Sequence, residues 1–271
     1  MSPVREPAAH EESLFRRHRR QHVVHLPDSD DVIDRMPTDL RLEVARTWTR
    51  RAHEELRVAW DFSLLCRELL EFGSDPDVLA VVARGVHDEV RHAEVCRSLA
   101  ERYAGGPVPW PTEVPPDTRP RSSDPRLRTS FHLVTMCCVT ESIASAFLDA
   151  SLKDASSPSA RVAVGELLAD EVVHARVGWT FLARQPRPML DAIEANLRAL
   201  VEPVVRGWWQ QGRVTLPEGA PEHGIPSMRR TQEATLGAMR EIVLPGFTEV
   251  GLDASDVRAW LDRWETTWGQ G

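Results

Sequence analysis

Four apolar helical stripes, each broken near its middle by a glutamate, constrain the fold of this chain most. In two of the stripes a histidine follows the glutamate three residues later, and residues at i and i+3 share one helix face. Burying four carboxylates without partners would cost several kcal/mol each, which is more than a marginally stable domain can carry. The pattern therefore predicts that shared cations balance these side chains, which are Glu55, Glu89, His92, Glu141, Glu171 and His174.

The spacing of apolar residues and helix stop signals predicts four long helices, over about 39–72, 77–103, 124–153 and 159–184. No segment alternates with period two over a useful length, so the fold class is all-α. The first and third connections are short, whereas residues 107–123 form a long proline-rich connection that cannot be helical. Two helical hairpins joined by one long crossover are typical of the ferritin-like four-helix bundle.

We expect three parts along the chain. Residues 1–37 read as an N-terminal arm that mixes arginine and histidine with a few aspartates, either solvated or docked on a partner, with a metal or nucleic-acid site as the alternative. Residues 38–184 form the four-helix bundle. Residues 185–271 form a C-terminal extension with helices over about 189–211, 227–245 and 254–268, which we expect to pack on the bundle.

Composition excludes several classes of protein. No stretch approaches the roughly 20 consecutive apolar residues of a membrane span, so no membrane is expected. The 33 basic and 41 acidic residues give a net charge of −8, which argues against a general nucleic-acid binder. The N-terminus carries no secretory signal, so we expect a cytoplasmic protein. The four cysteines show no Cys-x-x-Cys spacing and are expected to be free thiols.

The set of six predicted ligands matches a known kind of metal site. One glutamate from each of two helices, with Glu-x-x-His from each of the other two, is the pattern of di-iron or di-manganese carboxylate sites. The two halves also repeat, with Asp-Glu-Val-Arg-His-Ala at 88–93 and Asp-Glu-Val-Val-His-Ala at 170–175. The alternative is that these are ion-pairing residues on exposed helix faces. Glu54 is the rival of Glu55, but its register points off the apolar stripe.

These ligand residues and motifs make the segment of about residues 40–184 resemble the ferritin-like di-iron superfamily. The segment 88–93 resembles most closely the Asp-Glu-x-Arg-His-Ala motif of ferritin-like domain proteins of uncharacterised function. It is also similar to the hydroxylase subunits of bacterial multicomponent monooxygenases. That resemblance implies that Asp88 orients His174, that Asp170 orients His92, and that Arg91 joins them by charge-assisted hydrogen bonds. The alternative is that each aspartate is only a surface neighbour.

Departures from better-known relatives narrow the expected chemistry. Ribonucleotide reductase small subunits carry a tyrosine one turn after the first ligand histidine, where this chain has Cys96. Arylamine N-oxygenases add a histidine one turn before the last ligand glutamate, where this chain has Leu167. Neither a tyrosyl radical nor that third histidine is therefore expected. Trp208 and Trp209 could line a substrate entrance or simply pack, and the histidines outside the ligand set are read as structural or surface residues.

We therefore expect a non-haem di-iron oxidase or oxygenase, with manganese as the alternative metal. It would use dioxygen and an external electron donor to oxidise a small organic substrate, with no catalytic residue beyond the ligands. A homodimer is compatible with this reading. Phe62, Cys96 and Cys138 are expected to form a dry pocket beside the metals. The alternative function is metal handling: iron oxidation, sequestration or peroxide removal without an organic substrate.

Overall fold

The computed structural model describes residues 24–109, 122–211 and 218–268, and these ranges contain helices and no strand. The predicted all-α class is confirmed. Two π-helical segments, Val134–Thr140 and Met239–Val243, and one 3-10 turn, Ala220–His223, accompany the α-helices. The α-helices are α1 (Asp31–Asp34), α2 (Thr38–Phe72), α3 (Pro76–Ala104), α4 (Pro125–Asp154, which includes the first π-helical segment), α5 (Pro158–Leu182), α6 (Arg187–Glu194), α7 (Leu197–Gln211), α8 (Met228–Ala238), α9 (Leu244–Glu249) and α10 (Ser255–Trp268).

The long helices α2 to α5 begin and end within two residues of the predicted positions, and the caps explain why. Asp75, Asp124 and Ser157 each accept a hydrogen bond from a backbone N–H of the following first turn, and proline follows each of them at the first helical position. Helices α2 and α3 end at Gly73 and Gly105, which adopt the left-handed conformation that glycine tolerates best.

The long helices pack in a way that brings their middles together. Helix α2 packs along α3, the last part of α4 packs on α5, and α5 also packs on α3. A buried apolar cluster lies between α2, α3 and the π-helical segment of α4, and it includes Phe62, Leu65, Val82 and Cys137. The glutamates in the middle of each helix are therefore held in a rigid, largely apolar frame.

The helices after α5 share a core with α4 and α5. One buried cluster joins Ile143 of α4 and Leu182 of α5 to Val201, Phe247 and Leu261 of the later helices. The predicted helix over 189–211 is in fact two helices, α6 and α7, separated by Ala195 and Asn196. Sequence periodicity continues across this break because both helices bury the same apolar cluster.

The predicted N-terminal arm is described only from residue 24. Asp30 is buried, caps α1, and accepts hydrogen bonds from the Ser157 hydroxyl (2.7 Å) and the Ser159 backbone N–H (2.9 Å). Ile33 is buried in the cluster formed with α2, α3 and α5. This part of the arm therefore lies against the start of α5. Most of the predicted crossover, residues 110–121, lies outside the described ranges.

Among the described helices, one is long and apolar enough to cross a membrane, namely α4 over Pro125–Asp154. Its most apolar window is 67% buried inside the protein. Most of the apolar surface of α4 therefore lies in the protein's own core.

Gly178 of α5 allows the close approach of α5 to the π-helical segment of α4. A Cβ atom at this position would lie 2.6 Å from Cys138 Sγ and 2.9 Å from the Cys138 backbone nitrogen. Backbone atoms cannot give way as the end of a flexible side chain can. Glycine is therefore required here by packing.

We predict that Gly178→Ala lowers the free energy of unfolding by about 1–3 kcal/mol, because the added methyl group overpacks the contact between α5 and α4. Gly165→Ala is the matched control on the same helix, since a Cβ there meets nothing within 4 Å. It should leave stability unchanged or raise it by up to about 1 kcal/mol. Urea denaturation followed by circular dichroism measures both changes, and equal effects of the two substitutions would contradict this account of the contact.

Candidate metal centre

The four long helices bring all six predicted ligands together in their middle. They form two groups of donor atoms, each group lying within 4.8 Å, and Glu171 belongs to both. The side chain of Glu55 is 12% exposed, and the other five residues are buried. These clustered carboxylates and imidazoles could hold a metal ion. The first group is Glu55, Glu89, His92 and Glu171, and the second is Glu141, Glu171 and His174.

Two of the carboxylates extend between the two histidines. Glu89 places Oε2 3.3 Å from His92 Nδ1 and Oε1 3.0 Å from His174 Nδ1. Glu171 places Oε1 3.4 Å from His92 Nδ1 and Oε2 3.0 Å from His174 Nδ1. Each carboxylate thus offers one oxygen to each imidazole. The ring centroids of the histidines are 6.1 Å apart, with the two carboxylates between them.

The outer nitrogen of each histidine faces an aspartate on the opposite helix. His92 Nε2 lies 3.2 Å from Asp170 Oδ2, and His174 Nε2 lies 3.5 Å from Asp88 Oδ2. These are the pairings that the family resemblance implies. A proton on Nε2 that is donated to the aspartate leaves the Nδ1 lone pair directed at the carboxylate cluster, as a metal-binding histidine requires.

Two arginines hold the aspartates in place. Arg91 pairs with Asp170 and, at 3.0 Å, with Glu166. Arg84 contacts Asp88 at 3.0 Å and Asp170 at 3.1 Å, so it connects both aspartates. Arg91 contacts Asp170 as the family resemblance implied, but Arg84 was not predicted. Its signal was present as the i,i+4 spacing between Arg84 and Asp88 on α3.

Burial and mutual repulsion shift the pKa values of the clustered carboxylates. Burial raises the pKa of Glu55 well above its ordinary value, and repulsion from Glu89 raises it further. Burial likewise raises the pKa of Glu141, with repulsion from Glu171 next in size. The pKa of Glu171 is lowered instead, because hydrogen bonds from the two histidines outweigh the effect of burial.

The histidines offset part of that cost when they are protonated. Burial alone would lower the pKa of His174, but hydrogen bonds to Asp88 and Glu171 and the nearby Glu89 carboxylate outweigh it and raise the pKa to about 12. The pKa of His92 is raised well above its ordinary value by the corresponding contacts. Protons on the imidazoles thus occupy the position that a cation would take.

Unpartnered oxygens show that the donor set fits metal ions. Oε1 of Glu89 and Oε1 of Glu141 are fully buried and accept no hydrogen bond among the described residues. His174 Nδ1 approaches Glu89 Oε1 at 3.0 Å, but not in hydrogen-bond geometry. Four carboxylates and two imidazoles form a set of oxygen and nitrogen donors that could hold a metal ion. The neighbouring Glu54 is exposed and belongs to neither group, whereas Glu55 does.

A cavity of about 790 Å³ adjoins the centre on the side of Glu55, Glu141 and Glu171. Its walls come from α2, α4 and α7 and from the segment 224–226. The expected pocket around Phe62, Cys96 and Cys138 is not where this cavity lies. These three side chains are fully buried, and Phe62 packs on His174 with its ring centroid 4.8 Å away.

Two residues to which the sequence analysis gave no part in metal binding, Trp208 and His132, line the cavity. Trp208 does so, whereas Trp209 packs in the core on Trp264. His132 also lines the cavity and is buried beside Glu68, with Nδ1 3.4 Å from Oε2. His132 was read only as a structural or surface residue, because nothing along the sequence marks its contact with a residue 64 positions away.

The chain matches no protein-family model, and no curated protein matches it significantly.

We predict that the cation-free protein loses stability as pH rises above about 6.5, by up to about 1.4 kcal/mol per pH unit for each histidine. The pKa values of His92 and His174 are raised in the folded state. The folded protein therefore binds more protons than the unfolded protein, and this stabilisation is lost as the histidines deprotonate. A saturating divalent metal replaces those protons. The rise in the thermal midpoint on adding Mn²⁺ should consequently be larger at about pH 8.5 than at about pH 6.5.

His174→Ala is the control for this measurement. It should reduce both the metal-induced rise and its dependence on pH, because one of the two imidazoles is gone. A metal-induced rise that is the same at both pH values in the unsubstituted protein would contradict proton displacement at this site.

Proposed function

We propose that the chain is a ferritin-like di-iron protein that uses dioxygen to oxidise a small organic substrate. The observation that carries the proposal is the pair of carboxylates, Glu89 and Glu171, that each offer one oxygen to either histidine. A single cation would need only one of the two groups of donor atoms. Two adjacent groups that share a carboxylate suit a pair of cations.

In this proposal α2, α3, α4 and α5 are the four helices of a ferritin-like bundle. The packing of α2 on α3 and of α4 on α5 supports two hairpins. The connection between Ala104 and Pro125 is the long one, as a crossover between hairpins requires. Helices α6 to α10 would be additions to the bundle, of which α7 and Thr231 of α8 help to form the cavity.

The donor set supports iron as the metal, with manganese as the alternative. Glu55 and His92 would bind one ion, Glu141 and His174 the other, and Glu89 and Glu171 both. Zinc normally prefers four-coordinate sites with nitrogen and sulfur ligands, which this centre does not offer. Four carboxylates also balance the charge of two divalent ions. Ferrous ions bound there would supply the redox chemistry that reduces dioxygen, with further electrons from an external donor.

The chain's own residues prepare the site for that chemistry. Asp88 and Asp170 hold the Nε2 protons of the histidines and fix the orientation of both rings. Arg84 and Arg91 keep those aspartates ionised and in place. The buried frame around the ligands excludes water, and the cavity offers a substrate room beside Glu55 and Glu141.

We predict about two iron ions per chain in protein loaded anaerobically with Fe²⁺, and a sharp loss of bound iron in Glu55→Gln, Glu89→Ala and His174→Ala. Removing a metal ligand typically costs one or more orders of magnitude in affinity. Glu54→Gln is the matched control, because Glu54 precedes Glu55 on the same helix but lies on the exposed face. Elemental analysis after desalting measures the iron. Full iron in the ligand variants, or loss in Glu54→Gln, would overturn the ligand assignment.

The dioxygen reaction itself is tested by rapid mixing of the anaerobic ferrous protein with dioxygen, followed by optical absorption. We expect a transient band that decays within one turnover, and iron that stays at about two per chain. Size-exclusion chromatography should give a monomer or dimer. A closed shell that accumulates far more iron would instead support the metal-handling alternative, and bound iron without any dioxygen reaction would contradict the oxidase proposal.

A further inference from the structure

Arg51 occupies an unusual position on the wall of the cavity. It lies on α2 one turn before Glu55 and is half-buried. Its guanidinium carbon is 5.0 Å from the ring centroid of Trp48 and 4.8 Å from that of Phe147. Two aromatic rings thus hold the charged group beside the cavity that adjoins the metal centre.

The rings do not satisfy the hydrogen-bonding capacity of this guanidinium. A guanidinium stacks through its planar faces, whereas its five N–H donors lie along its edges. The group also stays positively charged at neutral pH. In the part of the chain that the structure describes, Arg51 donates no hydrogen bond and lies within 4.0 Å of no carboxylate. The neighbouring Arg50 differs, because it donates to the Thr47 hydroxyl at 3.3 Å. A fixed, half-buried cation with free donors is poised for an anionic ligand.

The rest of the cavity fits an apolar molecule. Helix α4 contributes Met136, Ala144 and Leu148 to the wall, and α7 contributes Leu200 and Val204. The volume of about 790 Å³ lies within the range of pockets that bind small organic ligands. A ligand that fills this space must therefore present a mostly apolar surface.

Once Glu55, Glu141 and Glu171 are assigned to metal ions, as in our proposed function, the remaining charges on the wall also favour an anion at Arg51. Outside the predicted metal ligands, Arg50 and Arg57 are matched in number by Glu54 and Asp61. Arg51 is the remaining, unmatched charge. The three glutamates that reach the cavity are assigned to the metals in our proposed function, so they would not neutralise it.

We propose that the cavity binds an organic acid with an apolar body, and that Arg51 holds its carboxylate. The planar edge of the guanidinium matches a carboxylate with two parallel hydrogen bonds, which an ammonium group cannot do. The apolar body lies against the residues of α4 and α7. That this acid is the substrate, and that Glu55, Glu141 and Glu171 leave the charge of Arg51 unneutralised, both rest on the proposed function.

The test compares octanoate with 1-octanol by isothermal titration calorimetry, in both metal-free and metal-loaded protein. The same comparison with 4-phenylbutanoate and 4-phenyl-1-butanol covers an aromatic body. We expect each acid to bind at least about 10-fold more tightly than its alcohol, because only the acid makes charge-assisted hydrogen bonds. Arg51→Gln should weaken the acids about 10- to 100-fold and leave the alcohols nearly unchanged.

Three further variants test the geometry of the cation, its position and the cavity itself. Arg51→Lys keeps the charge but lacks the planar edge, so it should recover only part of the acid affinity. Arg46→Gln is the matched control, since Arg46 is an exposed arginine on α2 that pairs with Glu43 away from the cavity. Ala144→Phe fills the cavity and should weaken acid and alcohol alike.

The outcomes separate this inference from the proposed function. Equal binding of acid and alcohol, unchanged acid binding in Arg51→Gln, or no binding of any probe would overturn the inference, even if iron loads and reacts with dioxygen. Acid binding that depends on Arg51 in the metal-free protein would support it, even if the iron assignment fails. A carboxylate that merely coordinates metal would bind only the loaded protein and would not depend on Arg51, which would also overturn the inference.

Discussion

The burial of four carboxylates at one point between the long helices is the constraint on which the rest of the structure depends. Desolvation penalises their charge, as the raised pKa values of Glu55 and Glu141 show. Two protonated imidazoles balance part of it, and cations would balance it fully. An apolar core of the same volume would be easier to stabilise, so this arrangement is a cost to folding. A metal ion bound by the cluster would offset that cost.

The aspartates and arginines around the cluster stabilise the buried histidines. Asp170 of α5 contacts His92 of α3, and Asp88 of α3 contacts His174 of α5. Because each motif supplies the partner of the other, the two Asp-Glu-x-x-His-Ala segments act as one unit across the contact between α3 and α5. Arg84 and Arg91 complete this unit at the surface, where their own charges remain partly hydrated.

The helices and the meeting of the six acidic and histidine side chains were predictable from the sequence because their signals are local. Caps, stop residues and helical periodicity act within a few turns, and a glutamate inside an apolar stripe is visible on a single helix. The π-helical segment Val134–Thr140 was not predicted, and its close approach to Gly178 of another helix has no signal along the sequence. The break between α6 and α7, the contacts of Arg84 with both aspartates and the stacking of Arg51 likewise arise only when separate helices meet. The cavity was expected beside Phe62 and lies elsewhere, because its walls come from helices far apart in the sequence.

The position of the cavity divides the centre into two unlike sides. Glu89, His92 and His174 do not reach the cavity, and on their side the aspartates and arginines of α3 and α5 cover the cluster. Glu55, Glu141 and Glu171 reach the cavity from the other side. On the covered side, hydrogen bonds from the imidazole rings to Asp88 and Asp170 fix the orientations of the rings. The open side has carboxylates, which can change how they bind a metal without moving a helix. On the proposed function, a substrate held by Arg51 would therefore approach the metals from the side whose ligands can best adapt.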